Sequence, residues 1–280
     1  MDRIAVVGLG LMGASLAWAL KGFRGAVIVG ADASAEVCRR AAAGGAVAEA
    51  WTEAGAAIEG ADLVIFCVYA HHIPGLVEAN RSAFKPAAVV SDICGVKGSL
   101  YERLKGLIPR DLEYVGLHPM AGKEKDGFEN ADPAIYLNSG LIICPWPSTR
   151  PETVDLMRQL GAYIGAARTA VAEVGPHDEL IAYTSDLMHL AAAGLCLDYD
   201  RRFDPAFAAG AFRDCTRVAD INAEAWTELL MDNRAHAAAW LGKYIGGLER
   251  LRRALAEGDG AALHGLLALA GKNKREMLSL

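Results

Sequence analysis

The chain has 280 residues, 53% of them hydrophobic and 22% charged, with a formal net charge of -6. That length allows two domains and that composition builds a sizeable core rather than a disordered chain. The acidic balance argues against nucleic acid or an anionic membrane as partner, while an anionic small substrate needs only local cations. Cys38, Cys67, Cys94, Cys144, Cys196 and Cys215 are scattered without a CxxC pair. This spacing fits a reduced, cytoplasmic protein without a metal site better than a disulfide scaffold. The run Met1 to Gly8 is too short and glycine-broken for a signal peptide. No uncharged apolar run of about 18 residues is present, so no membrane span is expected.

The first half alternates strand and helix patterns. Strands are expected at Ile4 to Val7, Ala26 to Gly30, Asp62 to Val68, Ala87 to Ile93, Glu113 to Leu117, Gly140 to Cys144 and Arg168 to Ala172. Helices are expected at Ala14 to Lys21, Ala35 to Ala43 and Pro151 to Ile164. Alternation of this kind implies an α/β domain with a doubly wound, mostly parallel sheet. After Gly175-Pro176 the texture becomes alanine- and leucine-rich, with helices expected at His177 to Asp198, Ala211 to Asp220, Glu224 to Glu257 and Ala261 to Ala270. The expected division is a Rossmann-type nucleotide domain over 1–173 and an all-helical domain over 174–280 that binds substrate and forms a dimer.

Gly8-Leu9-Gly10-Leu11-Met12-Gly13 matches G-x-G-x-x-G between a strand and a helix. Gly8 makes the tight turn, Gly10 lets the backbone approach a pyrophosphate, and Gly13 lets helix and strand pack closely. Leu11 and Met12 then open a helix whose free N–H groups face the phosphates. Asp32 follows at the spacing of a carboxylate on the adenine ribose, where its charge repels a 2′-phosphate and favours NAD over NADP. The alternative is an aspartate that caps the next helix.

Ligands in such sheets sit beyond the carboxyl ends of the strands. Lys97, after Asp92-Ile93-Cys94-Gly95-Val96, either faces cofactor or substrate or starts a helix at the surface. His118, in the loop Gly116-Leu117-His118-Pro119-Met120-Ala121-Gly122, titrates near neutrality and can take a proton. Lys123, Glu124 and Lys125 put both signs of charge beside it. Asp178, Ser185, Asp186 and His189 make a polar stripe that either lines a pocket or faces solvent. Arg217 can clamp a carboxylate with two parallel hydrogen bonds, with Trp226 as an aromatic wall, or it can form a surface ion pair.

Taken together and in this order, the glycine segment, Asp92 to Lys97, His118 to Glu124, His177-Asp178 with Ser185 to His189, and Phe212 to Arg217 with Trp226 resemble the prephenate dehydrogenase family of tyrosine biosynthesis. The resemblance spans nearly the whole chain. It implies NAD-dependent oxidative decarboxylation of prephenate to 4-hydroxyphenylpyruvate and CO2, or the same chemistry on arogenate with tyrosine as product. It implies His118 as partner and base for the ring hydroxyl, Arg217 on a substrate carboxylate and His189 in substrate contact; Lys97, by its position after the strand, is also expected at the substrate. It also implies that Trp226 reaches a neighbouring subunit in a homodimer built through the helical domain.

Two positions depart from the family pattern. A serine that commonly stands beside the catalytic histidine is Gly95 here, so no hydroxyl assists His118 from that position. The first histidine of Ser-His-x-x-His is Asp186, whose charge opposes a dianionic substrate and suits an amine. Two rivals remain open: a non-catalytic nucleotide-binding regulator and a β-hydroxyacid dehydrogenase. The latter would use Gly271-Lys272-Asn273, which is expected instead to be a helix C-cap and polar tail. No separate regulatory module is expected after the last helix.

Overall fold

A computed structural model describes residues 1–123 and 125–278. In chain order the nucleotide half contains β1 (Arg3–Val7), α1 (Leu11–Ala19), β2 (Val27–Ala31), α2 (Ala35–Ala43), β3 (Ala50–Trp51), α3 (Ala54–Ile58), β4 (Leu63–Phe66), α4 (Ile73–Ala79), β5 (Val89–Asp92), α5 (Gly98–Leu104), β6 (Glu113–Met120), β7 (Gly140–Pro145), α6 (Pro151–Tyr163) and β8 (Arg168–Val171). The strands form one sheet in the order β3-β2-β1-β4-β5-β6-β7-β8. Pairing is parallel except where β7 runs antiparallel to β6. This is the doubly wound, mostly parallel architecture that the strand–helix alternation implies.

Successive side chains of a strand point to opposite faces, and here both faces are covered. Ile4, Val6, Leu63 and Ile65 join Leu16, Leu20, Met157 and Leu160 on one face. Ala5, Val7, Val64 and Phe66 join Ile58, Ile73, Val77 and Leu100 on the other. Double burial explains why these strands read as unbroken apolar runs rather than alternating ones.

Several boundaries differ from the sequence expectations. The two-residue β3 is too short to leave a period in the sequence. β6 continues through His118 and Pro119 to Met120, so the histidine stands in a strand and the loop begins only at Ala121. Pro119 is tolerated because β5 pairs only as far as Gly116, leaving the last residues of β6 to β7 alone.

Beyond β8 every described element is helical: α7 (Val174–Ile181), α8 (Leu187–Leu197), α9 (Gly210–Thr216), α10 (Ala223–Asp232), α11 (Arg234–Ala256) and α12 (Gly260–Leu278). The expected helix from His177 is interrupted by a π-helical turn over Ala182–Asp186. The expected helix from Glu224 breaks at the buried Asn233, which ends α10 and precedes α11. α9 passes directly into a 3₁₀ turn over Arg217–Ala219, so the expected helix from Ala211 to Asp220 is met except that it changes from α to 3₁₀ at Arg217. Gly271-Lys272-Asn273 is not a C-cap: α12 runs straight through it. The stretch Val174–Leu197 is long and apolar enough to span a membrane by length and composition. It carries buried His177, Asp178 and Asp186, which hydrogen-bond to other parts of the protein.

Candidate active site

The glycine loop closes where the roles of its residues require. Gly8 has φ +94°, and a Cβ there would meet the Cys67 carbonyl at 2.5 Å. A Cβ on Gly13 would lie 1.8 Å from the Gly8 carbonyl oxygen, so strand and helix could not approach. A Cβ on Gly10 would meet nothing within 4 Å, which is open space for a phosphate at the N-terminus of α1. Asp32 accepts the Leu9 N–H at 2.8 Å and the Ser34 N–H at 2.9 Å, tying the end of β2 to this loop. Ser34, not Asp32, caps α2. The loop, the open helix end and the carboxylate fit a dinucleotide.

Two adjoining cavities, of about 490 and 350 Å³, form one cleft between the carboxyl ends of the strands and the helical half. They share Tyr69, Gly95, His118, Lys123, Trp226 and Leu229. One lobe reaches Leu11, Met12 and Cys94 at the nucleotide end. The other reaches Ser185, Asp186, His189 and Arg217. The polar stripe therefore lines a pocket, apart from Asp178, which turns away to the backbone after β5. The π-helical turn adds a residue to the helix and places Ser185 and Asp186 on the pocket wall.

His118 stands at the junction of the lobes. Burial, the nearby Lys97 ammonium and His177 hold its pKa well below the usual histidine value, so it is a neutral proton acceptor. Its Nδ1 lies 3.0 Å from His177 Nε2, and His177 Nδ1 lies 2.7 Å from Asp178 Oδ1. A Cβ on Gly95 would sit 3.7 Å from His118 Nε2, with Leu229 Cδ1 at 3.1 Å. Sequence reasoning placed His177-Asp178 in the family pattern but gave the pair no role. Its only signal was a histidine and an aspartate in the first turns of an otherwise apolar helix.

Lys97 is corrected on both counts. It is neither at the surface nor in the cleft but fully buried, with Nζ 2.5 Å from Asp92 Oδ1 and from the Leu117 carbonyl oxygen. Asp92 also accepts from the Tyr114 hydroxyl at 2.7 Å and the Cys94 N–H at 2.8 Å. An ion pair so surrounded joins β5 to β6 and lends its field to His118, and it lines neither cavity.

In the outer lobe, His189 Nδ1 lies 3.0 Å from the Val218 carbonyl oxygen and its ring packs on Trp226 at 3.6 Å between centroids. Trp226 thus forms the aromatic wall expected of it in this chain's own cleft. Arg217 and Lys123 line the cleft; Glu124, expected between Lys123 and Lys125, lies outside the described residues. Asp186 is fully buried; Asn233 donates to its Oδ2 at 2.8 Å, while its Oδ1 has no hydrogen-bond partner among the described residues. Burial, with Asp178 nearby, lifts its carboxyl to about 6.

The chain matches the prephenate dehydrogenase nucleotide-binding domain over residues 16–169 and the prephenate dehydrogenase dimerization domain over 174–269. The first match begins after the glycine loop, whose assignment rests on its own geometry. The cyclohexadienyl dehydrogenase of Zymomonas mobilis is 29% identical over 92% of this chain and 90% of its own length. The arogenate dehydrogenase of Synechocystis superposes with a TM-score of 0.84 at 26% identity, covering 98% of this chain and 99% of its own. A prephenate dehydrogenase from A. aeolicus, crystallised with hydroxyphenyl propionate and NAD+, gives a TM-score of 0.87 at 23% identity over 99% of this chain and 98% of its own. The two domain matches together take in most of the sequence, and the chain belongs to the prephenate dehydrogenase family.

Proposed function

We propose that this protein is an NAD-dependent dehydrogenase that oxidatively decarboxylates prephenate to 4-hydroxyphenylpyruvate in tyrosine biosynthesis. The observation that carries the reading is His118, a neutral base at the junction between a dinucleotide loop and a pocket that contains Arg217. In this reading 1–173 binds NAD through Gly8, Gly10, Leu11, Met12, Gly13 and Asp32. The helical 174–280 supplies His189, Arg217 and Trp226 to the substrate. NAD supplies the acceptor for the hydride that leaves C4 of the ring. His118 Nε2 takes the proton of the 4-hydroxyl as C4 becomes a carbonyl. The ring carboxylate then leaves as CO2, its bonding electrons make the ring aromatic, and the proton held by His118 returns to the phenol oxygen. Arg217 orients a carboxylate by charge-assisted hydrogen bonds, and the low polarity around His118 keeps it unprotonated. Purified protein with prephenate and NAD should generate NADH absorbance together with CO2.

Asp186 favours a second reading, arogenate as substrate. A buried carboxylate with one unpartnered oxygen on the pocket wall suits the ammonium that arogenate carries where prephenate has a ketone. The paired assay decides, as a higher kcat/KM for one substrate. We place the protein in the cytoplasm on the strength of six free cysteines. We assign it as a homodimer, whose interface would cover exposed Leu195, Leu197, Tyr199 and Phe207.

A further inference from the structure

We propose that Asp178 and His177 form a relay that fixes the tautomer of His118, and so position this base where Gly95 provides no side chain to do it. The proposal deepens the reading above and rests on it. Asp178 accepts the Lys97 N–H at 3.0 Å through Oδ1 and the Gly98 N–H at 2.7 Å through Oδ2. A carboxylate that accepts two backbone donors has no proton to give, so in its third hydrogen bond, at 2.7 Å, His177 donates from Nδ1. With its proton on Nδ1, the His177 ring presents Nε2 as an acceptor. His118 Nδ1 lies 3.0 Å from that nitrogen and must carry the proton between them.

The consequence falls on the far side of the ring. With its proton on Nδ1, His118 keeps a lone pair on Nε2, the nitrogen beside Gly95 at the cleft wall. Free histidine carries its proton mainly on Nε2, the tautomer that could only donate to a substrate hydroxyl. Two backbone amides thus decide, through one carboxylate and two imidazoles, that His118 accepts. His177 is 1% exposed, so water does not compete for its nitrogens. His177 and Asp178 are positioning residues; of the three members of the relay only His118 meets the substrate.

The direct test is the imidazole 15N spectrum of the wild-type protein without substrate, with the His118 signals assigned from their loss in His118→Asn. The relay predicts a protonated Nδ1 and an unprotonated Nε2; a protonated Nε2 would overturn it. A second arm compares His177→Phe, which keeps the ring but offers no acceptor, with His177→Gln, whose amide oxygen replaces Nε2. His177→Phe should lower kcat about a hundredfold with NAD affinity held within about twofold, and His177→Gln should recover most of the loss. A His177→Phe enzyme within about threefold of wild-type kcat would also overturn the relay. If that variant does not fold, the wild-type spectrum still decides. The relay tautomer in a protein that makes no NADH would refute the reaction and leave the relay standing.

Discussion

At the Gly10 end of the cleft six consecutive residues shape the site, whereas at the His118 end the ring is held by a histidine 59 residues away. The two cations expected at the substrate differ in the same way. Lys97 follows its strand at the spacing of a ligand residue, yet it is spent inside the protein on Asp92 and the Leu117 carbonyl. Arg217 ends the segment Phe212 to Arg217, at the end of a short helix far from any strand, and lines the cleft. A backbone device such as a phosphate loop is written locally. A charged side chain acquires its role from which way the fold turns it.

That contrast can be broken by mutation. The largest effect is expected at the base: His118→Asn should lower kcat by about 10²–10⁴-fold while NAD affinity stays near wild type, measured by steady-state kinetics and cofactor titration. At the other end, Gly13→Val should cost more than about 3 kcal/mol of stability and abolish NAD binding, because the backbone contact at 1.8 Å has no way to relax. Equal thermal stability in that variant would show that the loop does not pack as described.

The two cations should separate cleanly. Lys97→Met leaves Asp92 buried and unpaired and should cost about 3–5 kcal/mol in denaturant unfolding. Arg217→Ala should act on the substrate instead, raising KM for prephenate by about 10–150-fold, the worth of a charge-assisted hydrogen bond. A stable Lys97→Met enzyme with raised KM would return that lysine to the substrate.

The smallest effect concerns pH. Asp186 titrates near 6 in the folded protein, above its usual 3.8, so the fold favours its protonated form. Its contribution is favourable below pH 3.8 and is lost as pH rises through 6. Asp186→Asn should therefore stabilise the protein at pH 7 by roughly 1–3 kcal/mol and not at pH 4. His118 has the opposite sign: its depressed pKa gives stability above about pH 6.5 that is lost on acidification. Its base form should persist below pH 6.5 in the kcat/KM profile.

The parallel strands, the glycine turn and the helical second half were legible because each is a contiguous pattern with a period or a fixed spacing. β3 was not, since two residues carry no period, and the end of β6 was hidden by Pro119, which reads as a loop until its pairing partners are known. The outer pocket was partly legible: Ser185, Asp186 and His189 stood out as polar residues, but the π-helical turn that aims two of them has no signature in composition. The His177–Asp178 relay depends on α7 crossing the backbone after β5, a packing that no local pattern records.

The most direct test of the proposed reaction is the anaerobic assay of purified protein with NAD and either prephenate or arogenate, following absorbance at the NADH band together with released CO2. NADH and CO2 in equal amounts from one of the two substrates, lost in His118→Asn, is the expected result. No NADH from either substrate, or NADH formation unaffected by His118→Asn, would contradict it.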